Sequence, residues 1–205
     1  MTQLVTSVLN AVNLASYSSS LGFLGYFERV GRYANGMAEE AVACLLDSFS
    51  LQVDDWTLIS SLHANLDEVG SFGDPQSDAA DLDTVDYLCA NNVLRGFSYR
   101  TRFGTDYESD AYSEAVSKSQ LEFIEVPVEE LAGEVLQKLL VARMLVYGLR
   151  GHLFLVSMKN GLALYPHDDT GFGVIMFGNA LNRSAAVEFL ERANHLARFH
   201  SVLTD

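Results

Sequence analysis

Across 62 consecutive positions, from Tyr33 to Leu94, the chain has no lysine and no arginine. Direct nucleic-acid binding through this segment is not expected, because neutralising phosphate takes cations. Cysteine is scarce too. Cys44 and Cys89 are the only two among 205 residues, and they lack CxxC spacing. Two such thiols make no disulfide framework, so they are expected as free thiols in a reducing compartment, the cytoplasm. Before Glu28 there is no charged side chain at all. No basic residue precedes the apolar positions of that stretch, and Ser, Thr and Asn interrupt them. It therefore reads neither as a secretory signal nor as a membrane-spanning helix, which needs about 20 predominantly apolar residues in a row. Only three prolines are present.

Local catalytic signatures are also missing. The chain has no HExxH, GxSxG, GxxxxGK[ST] or GxGxxG. Gly22 to Gly25 and Gly171 to Gly173 are short and lack the strand–glycine–helix context that cradles phosphate. His195 and His200 lie five apart on an expected helix, about 140° around its axis, and so do not share a face. No cofactor and no resident metal are expected.

What the sequence has is a folded chain's composition, 49% hydrophobic and 20% charged. That falls within the globular range and outside the disordered one. Its length suits a single domain, 1–205, with a helical, acidic part over 1–90 and an α+β part over 91–205. The formal net charge is −14, and its source is local. The lysine- and arginine-free segment holds Glu39, Glu40, Asp47, Asp54, Asp55, Asp67, Glu68, Asp74, Asp78, Asp81, Asp83 and Asp86. The other 143 positions carry 15 acids against 13 bases, a balance of −2. Solubilising surfaces usually intersperse both signs. A single-sign block instead points to a negative field that attracts a basic partner.

Periodicity gives the elements. Leu4, Val5, Val8, Leu9, Val12 and Ala15 form one stripe of an N-terminal helix whose other face is neutral, a candidate subunit interface. Leu21, Leu24, Phe27 and Val30 suggest a second helix. Met37 to Phe49 reads as a third, and Trp56, Ile59, Leu62, His63 and Leu66 as one stripe of a fourth. Gly70 to Asp83 reads as a loop. Val93 to Phe103 alternates like a half-exposed strand, and Leu121, Phe123 and Glu125 mark another. Val126-Pro127-Val128-Glu129-Glu130 starts a helix running to Tyr147 and stopping at Gly148. His152 to Lys159, an Asn160-Gly161 type I′ turn, Leu162 to Tyr165, and Phe172 to Phe177 make a C-terminal β-meander. A last helix spans Ser184 to Phe199. The fold class expected is α+β, helices followed by a small antiparallel sheet packed with helices.

Two smaller constellations carry chemistry. His167, Asp168 and Asp169 fall in the turn between two strands. Consecutive residues rarely converge on one ion, and Asp-Asp-Thr-Gly is good turn chemistry with Gly171 available for positive φ. A metal site there would need further ligands from elsewhere. Arg95, Arg100 and Arg102 alternate with Phe97, Tyr99 and Phe103, a pattern able to stack bases. In a chain this acidic, those arginines are expected to pair with the acidic segment.

The leading functional expectation is a non-enzymatic binder that neutralises a basic partner protein through the twelve carboxylates. A toxin-immunity protein and a phage-type inhibitor of a nucleic-acid-binding protein both fit. One alternative is a small enzyme with acid–base residues near His167–Asp169. Another is a self-assembling structural protein, a homo-oligomer joined through the N-terminal helix. No membrane partner is expected.

Overall fold

The computed structural model describes residues 2–51, 55–71, 73–177 and 183–204. Among the described residues, helices α1 (Gln3–Ala11), α2 (Met37–Ser48), α3 (Pro75–Ala90), α4 (Tyr99–Phe103), α5 (Asp110–Ser119), α6 (Gly133–Leu145) and α7 (Arg183–Asn194) accompany ten strands. These are β1 (Phe23–Arg29), β2 (Trp56–Ser60), β3 (His63–Asn65), β4 (Arg95–Phe97), β5 (Ile124–Pro127), β6 (Leu149–Arg150), β7 (Leu153–Ser157), β8 (Leu162–His167), β9 (Gly171–Met176) and β10 (Phe199–Leu203). Seven strands form one sheet in the order β10-β1-β9-β8-β7-β2-β5, every neighbour antiparallel. A small sheet, β4-β3-β6, joins β3 to β4 in parallel and to β6 antiparallel. The fold is mixed α+β, as the sequence suggests. No helix among the described residues is long and apolar enough to cross a membrane.

Strand alternation divides the core between the two faces of the large sheet. Leu58, Leu155, Leu164, Phe172 and Val174 join α2, α6 and α7 in the larger core. Their neighbours Ile59, Phe154, Val156, Ala163, Tyr165 and Ile175 point to the other face, where Val5, Val8 and Val12 of α1 cover them. Covering on both faces is why β7, β8 and β9 read as nearly continuous apolar runs. The apolar stripe of the uncharged N-terminal helix thus packs on its own sheet.

Several segments differ from their sequence pattern for identifiable reasons. Leu24 and Phe27 sit three apart, as on a helix, yet lie in strand β1. A register shift between Phe23 and Gly25 turns both to the same core. Trp56 to Leu66 is not a helix but β2 and β3. Its apolar positions fit one helical stripe because β2 is buried on both faces. Part of the expected 70–83 loop is helical, since α3 begins at Pro75. Only Val85 and Leu88 of that helix are buried, so its apolar periodicity is faint. The 93–103 alternation holds only over β4, because Ser98 accepts the Thr101 N–H and caps α4. Pro127 closes β5 instead of opening a long helix, and a 3-10 turn, Val128–Glu130, intervenes before α6. The last helix stops at Asn194, and Phe199 starts strand β10. The β7–β8 connection takes residues 158–161, with positive φ at Gly161 (63°) but not at Asn160, so it is not type I′.

Candidate functional site

The structure distributes the acidic segment over several elements. Glu39 and Glu40 occupy the first turn of α2 and Asp47 its last, while Asp55 precedes β2. Asp67 and Glu68 follow β3, and Asp74, Asp78, Asp81, Asp83 and Asp86 belong to α3 and its N-cap. Asp54 lies outside the described residues. Helices α2 and α3 each pack against α6, but α2 also meets α7 and β9 whereas α3 meets β4. The carboxylates therefore fall into separate groups.

Four of them are engaged within the chain. Glu40 pairs with Arg198 at 2.5 Å and Glu68 with Arg150 at 2.6 Å. Asp67 accepts the Arg100 N–H at 2.9 Å, and that bond holds its carboxyl below the usual range. On α3, Asp78 accepts the Gly73 N–H at 2.9 Å. Burial, reinforced by the Asp78 charge, raises the Asp81 carboxyl. Asp83 and Asp86 lie three apart on the exposed face of α3, and Asp74 is exposed at its start.

The basic–aromatic strand turns out differently from its expectation. Arg95 donates to the Glu122 carboxylate at 2.7 Å, and Arg102 lies 3.6 Å from the same carboxylate and 4.2 Å above the Phe97 ring. Their partner is outside the acidic segment. Arg150 and Arg198 reach carboxylates of that segment and Arg192 the Asp47 carbonyl, at 3.1 Å, contacts that the local pattern gave no means of finding.

Two buried histidine–tyrosine pairs were not legible as pairs. His63 is fully buried, with Nδ1 3.1 Å from the Ser61 carbonyl and Nε2 2.6 Å from the Tyr99 hydroxyl. The carbonyl can only accept, so Nδ1 carries the proton and Tyr99 donates to Nε2. His152 Nδ1 lies 2.5 Å from the Tyr17 hydroxyl. Burial lowers His152 to about 4 and raises Tyr17 and Tyr99 each to about 12. Groups so far from neutrality suit structural hydrogen bonds better than proton transfer near pH 7. Tyr99→Phe is expected to cost about 1–3 kcal/mol of stability by orphaning the buried His63 nitrogen. A urea titration of the variant measures it, and an unchanged midpoint would contradict the pairing.

Both thiols are likewise shielded. Burial pushes Cys44 up to about 11 and raises Cys89, the opposite of an activated nucleophile.

The His167–Asp169 turn is where separate elements converge. Asp168 and Asp169 are exposed in the β8–β9 connection, and Thr170 (φ 58°), not Gly171, takes the positive φ. Gly171 serves another purpose. A Cβ there would collide with the Phe27 carbonyl, so glycine permits β9 to lie close to β1. Across that bare strand, His167 Nε2 reaches the Phe27 carbonyl at 3.0 Å. Glu28 comes from β1, and its carboxylate lies 3.5 Å from His200 on β10. Arg29 approaches Asp169 at 3.7 Å. Tyr17, Phe23, Tyr26 and Tyr165 wall the adjoining cleft of about 240 Å³.

Comparison with protein-family models, with curated proteins and with solved structures finds no match to this chain. Its function is therefore argued from its own charge and geometry.

Proposed function

We propose that the protein binds and masks a basic partner protein, with the exposed acidic face of α3 as its principal contact. The observation that carries this reading is the 62-residue stretch without lysine or arginine, whose exposed carboxylates at Asp74, Asp83 and Asp86 stand on one helix and its N-cap. Glu40, Asp67 and Glu68 contribute less, because each is already engaged within the chain. Carboxylates on a helix present charge to lysines and arginines that otherwise hold phosphate. An immunity protein against a nuclease-type toxin and a phage-type inhibitor both use this chemistry, and the two protonated thiols suit the cytoplasm.

The test begins with capture of a partner at low salt and its release at high salt. Association of the purified pair is then followed with an Asp74→Asn, Asp83→Asn, Asp86→Asn triple variant. Steering by charge predicts a rate that falls as salt rises, and roughly a 10-fold slower rate for the triple variant. Glu39→Gln with Asp47→Asn on α2 should stay closer to wild type. A neutral or acidic partner, or a triple variant that associates like wild type, would sink the reading.

A further inference from the structure

We propose that Glu28, His167 and Asp169 form a binding site for a divalent transition-metal ion of the zinc type. The site is independent of the acidic face of α3. One ligand atom from each of the three side chains falls within 4.8 Å of the other two. Tetrahedral ligand atoms bound at about 2.0–2.2 Å lie about 3.3–3.6 Å apart, so an ion would draw these side chains together by up to about 1.5 Å. Three elements supply them: β1 gives Glu28, the end of β8 gives His167, and the β8–β9 turn gives Asp169. Consecutive residues alone would not make such a site. The sheet makes it by laying β1 beside the turn, where the Arg29 N–H bonds the Asp169 carbonyl at 3.2 Å.

The chemistry of the set is selective. His167 donates Nε2–H to the Phe27 carbonyl, which leaves Nδ1 with the lone pair a metal needs. A ligating histidine characteristically has its other ring N–H held by a carbonyl or carboxylate in this way. Two carboxylates add charge to balance the ion, and the imidazole turns preference from magnesium and calcium towards zinc, cobalt and nickel. Arg29, partly exposed and 3.7 Å from Asp169, partly neutralises the carboxylate pair and also donates to the Gly31 carbonyl. His200 stands opposite Glu28 on β10, 3.5 Å from its carboxylate and outside the cluster of three. With three protein ligands, a remaining position opens onto the cleft walled by Tyr17 and Tyr26.

The full chain is titrated calorimetrically with Zn²⁺ and, separately, with Mg²⁺ and Ca²⁺. One Zn²⁺ per chain is expected, bound far more tightly than Mg²⁺ or Ca²⁺. Glu28→Gln and His167→Gln should each weaken Zn²⁺ at least ~100-fold, the upper end of what loss of an outer partner costs. Asp169→Asn, in an exposed turn where a substitution leaves the core intact, gives the same loss should either of the others misfold. His195→Gln, at an exposed histidine outside the cluster, should bind like wild type. In the Co²⁺-loaded protein, visible d–d absorption should appear and vanish in Glu28→Gln. Absence of saturable Zn²⁺ binding, equal affinity for Mg²⁺, or wild-type affinity in folded Glu28→Gln and Asp169→Asn would overturn the proposal.

Discussion

Phe189→Ala is expected to lower the unfolding free energy by about 3–5 kcal/mol, the range for truncating a fully buried phenylalanine. Phe189 of α7 is the point where the larger core is tied together. Its ring meets Phe27 of β1 at 5.4 Å, Phe49 at the end of α2 at 5.2 Å, and Phe172 of β9 at 6.3 Å. None of it is exposed. Truncation removes its own burial and leaves three rings facing a void, and neighbours held by a sheet and two helices cannot collapse into it fully. Phe189→Leu keeps most of the volume and should cost under about 1.5 kcal/mol. Urea unfolding followed by Trp56 fluorescence reports both, since Trp56 stacks edge-on against Phe49 at 5.3 Å. A loss below about 1 kcal/mol for Phe189→Ala would mean that α7 does not pack on the sheet as described.

The same contacts show what the sequence could and could not convey. Helices α2 and α6 and the β7–β9 meander were legible because a single face or a doubly buried run sets their pattern, and each stands alone in that respect. Strand β1 was not, because its bulge at Phe23–Gly25 puts Leu24 and Phe27 on one side at helical spacing. Strand β10 was hidden behind α7, since a five-residue edge strand leaves little periodicity of its own. The misread strand β1 decides the candidate metal site. Glu28 lies on it, so reading that segment as helix separates Glu28 from the His167 turn. The turn itself was visible from sequence, as was the need for ligands from elsewhere. Which residues would come to it depended on long-range strand pairing. The acidic segment is the converse case. Its charge was wholly legible, but its division between α2, the β3 end and α3 follows from packing against α6, and its partial neutralisation by Arg150 and Arg198 comes from residues far along the chain.

Lowering the pH from 7 to 5 is expected to remove about 2 kcal/mol of stability through His152 alone. In the folded chain His152 titrates at about 4, mainly because burial disfavours its charged form, with the Arg143 charge acting in the same direction. Unfolded, it titrates near 6.5. Between those values the unfolded chain holds a proton that the folded chain does not, so stability rises with pH and falls as pH drops. The full effect, about 3 kcal/mol, is reached near pH 4, and the part accrued by pH 5 is about two-thirds of it. His63 is lowered by burial and adds loss in the same direction. Asp67, held below its usual range by its backbone hydrogen bond, and Glu114, held below its own by Lys118, add to the decline in the acid carboxylate range. Asp81, raised by burial, opposes them there. Urea titrations at pH 7 and pH 5 isolate the histidines from these carboxylates. The double variant Tyr17→Phe, His152→Phe keeps the stacking of residue 152 on Phe123 and Phe154 without orphaning the Tyr17 hydroxyl. Its stability should change by about 2 kcal/mol less over that interval than wild type does. An equal loss in both proteins would show that His152 takes up its proton without leaving its place against Tyr17, and that the burial of this pair does not set the acid limit of the fold.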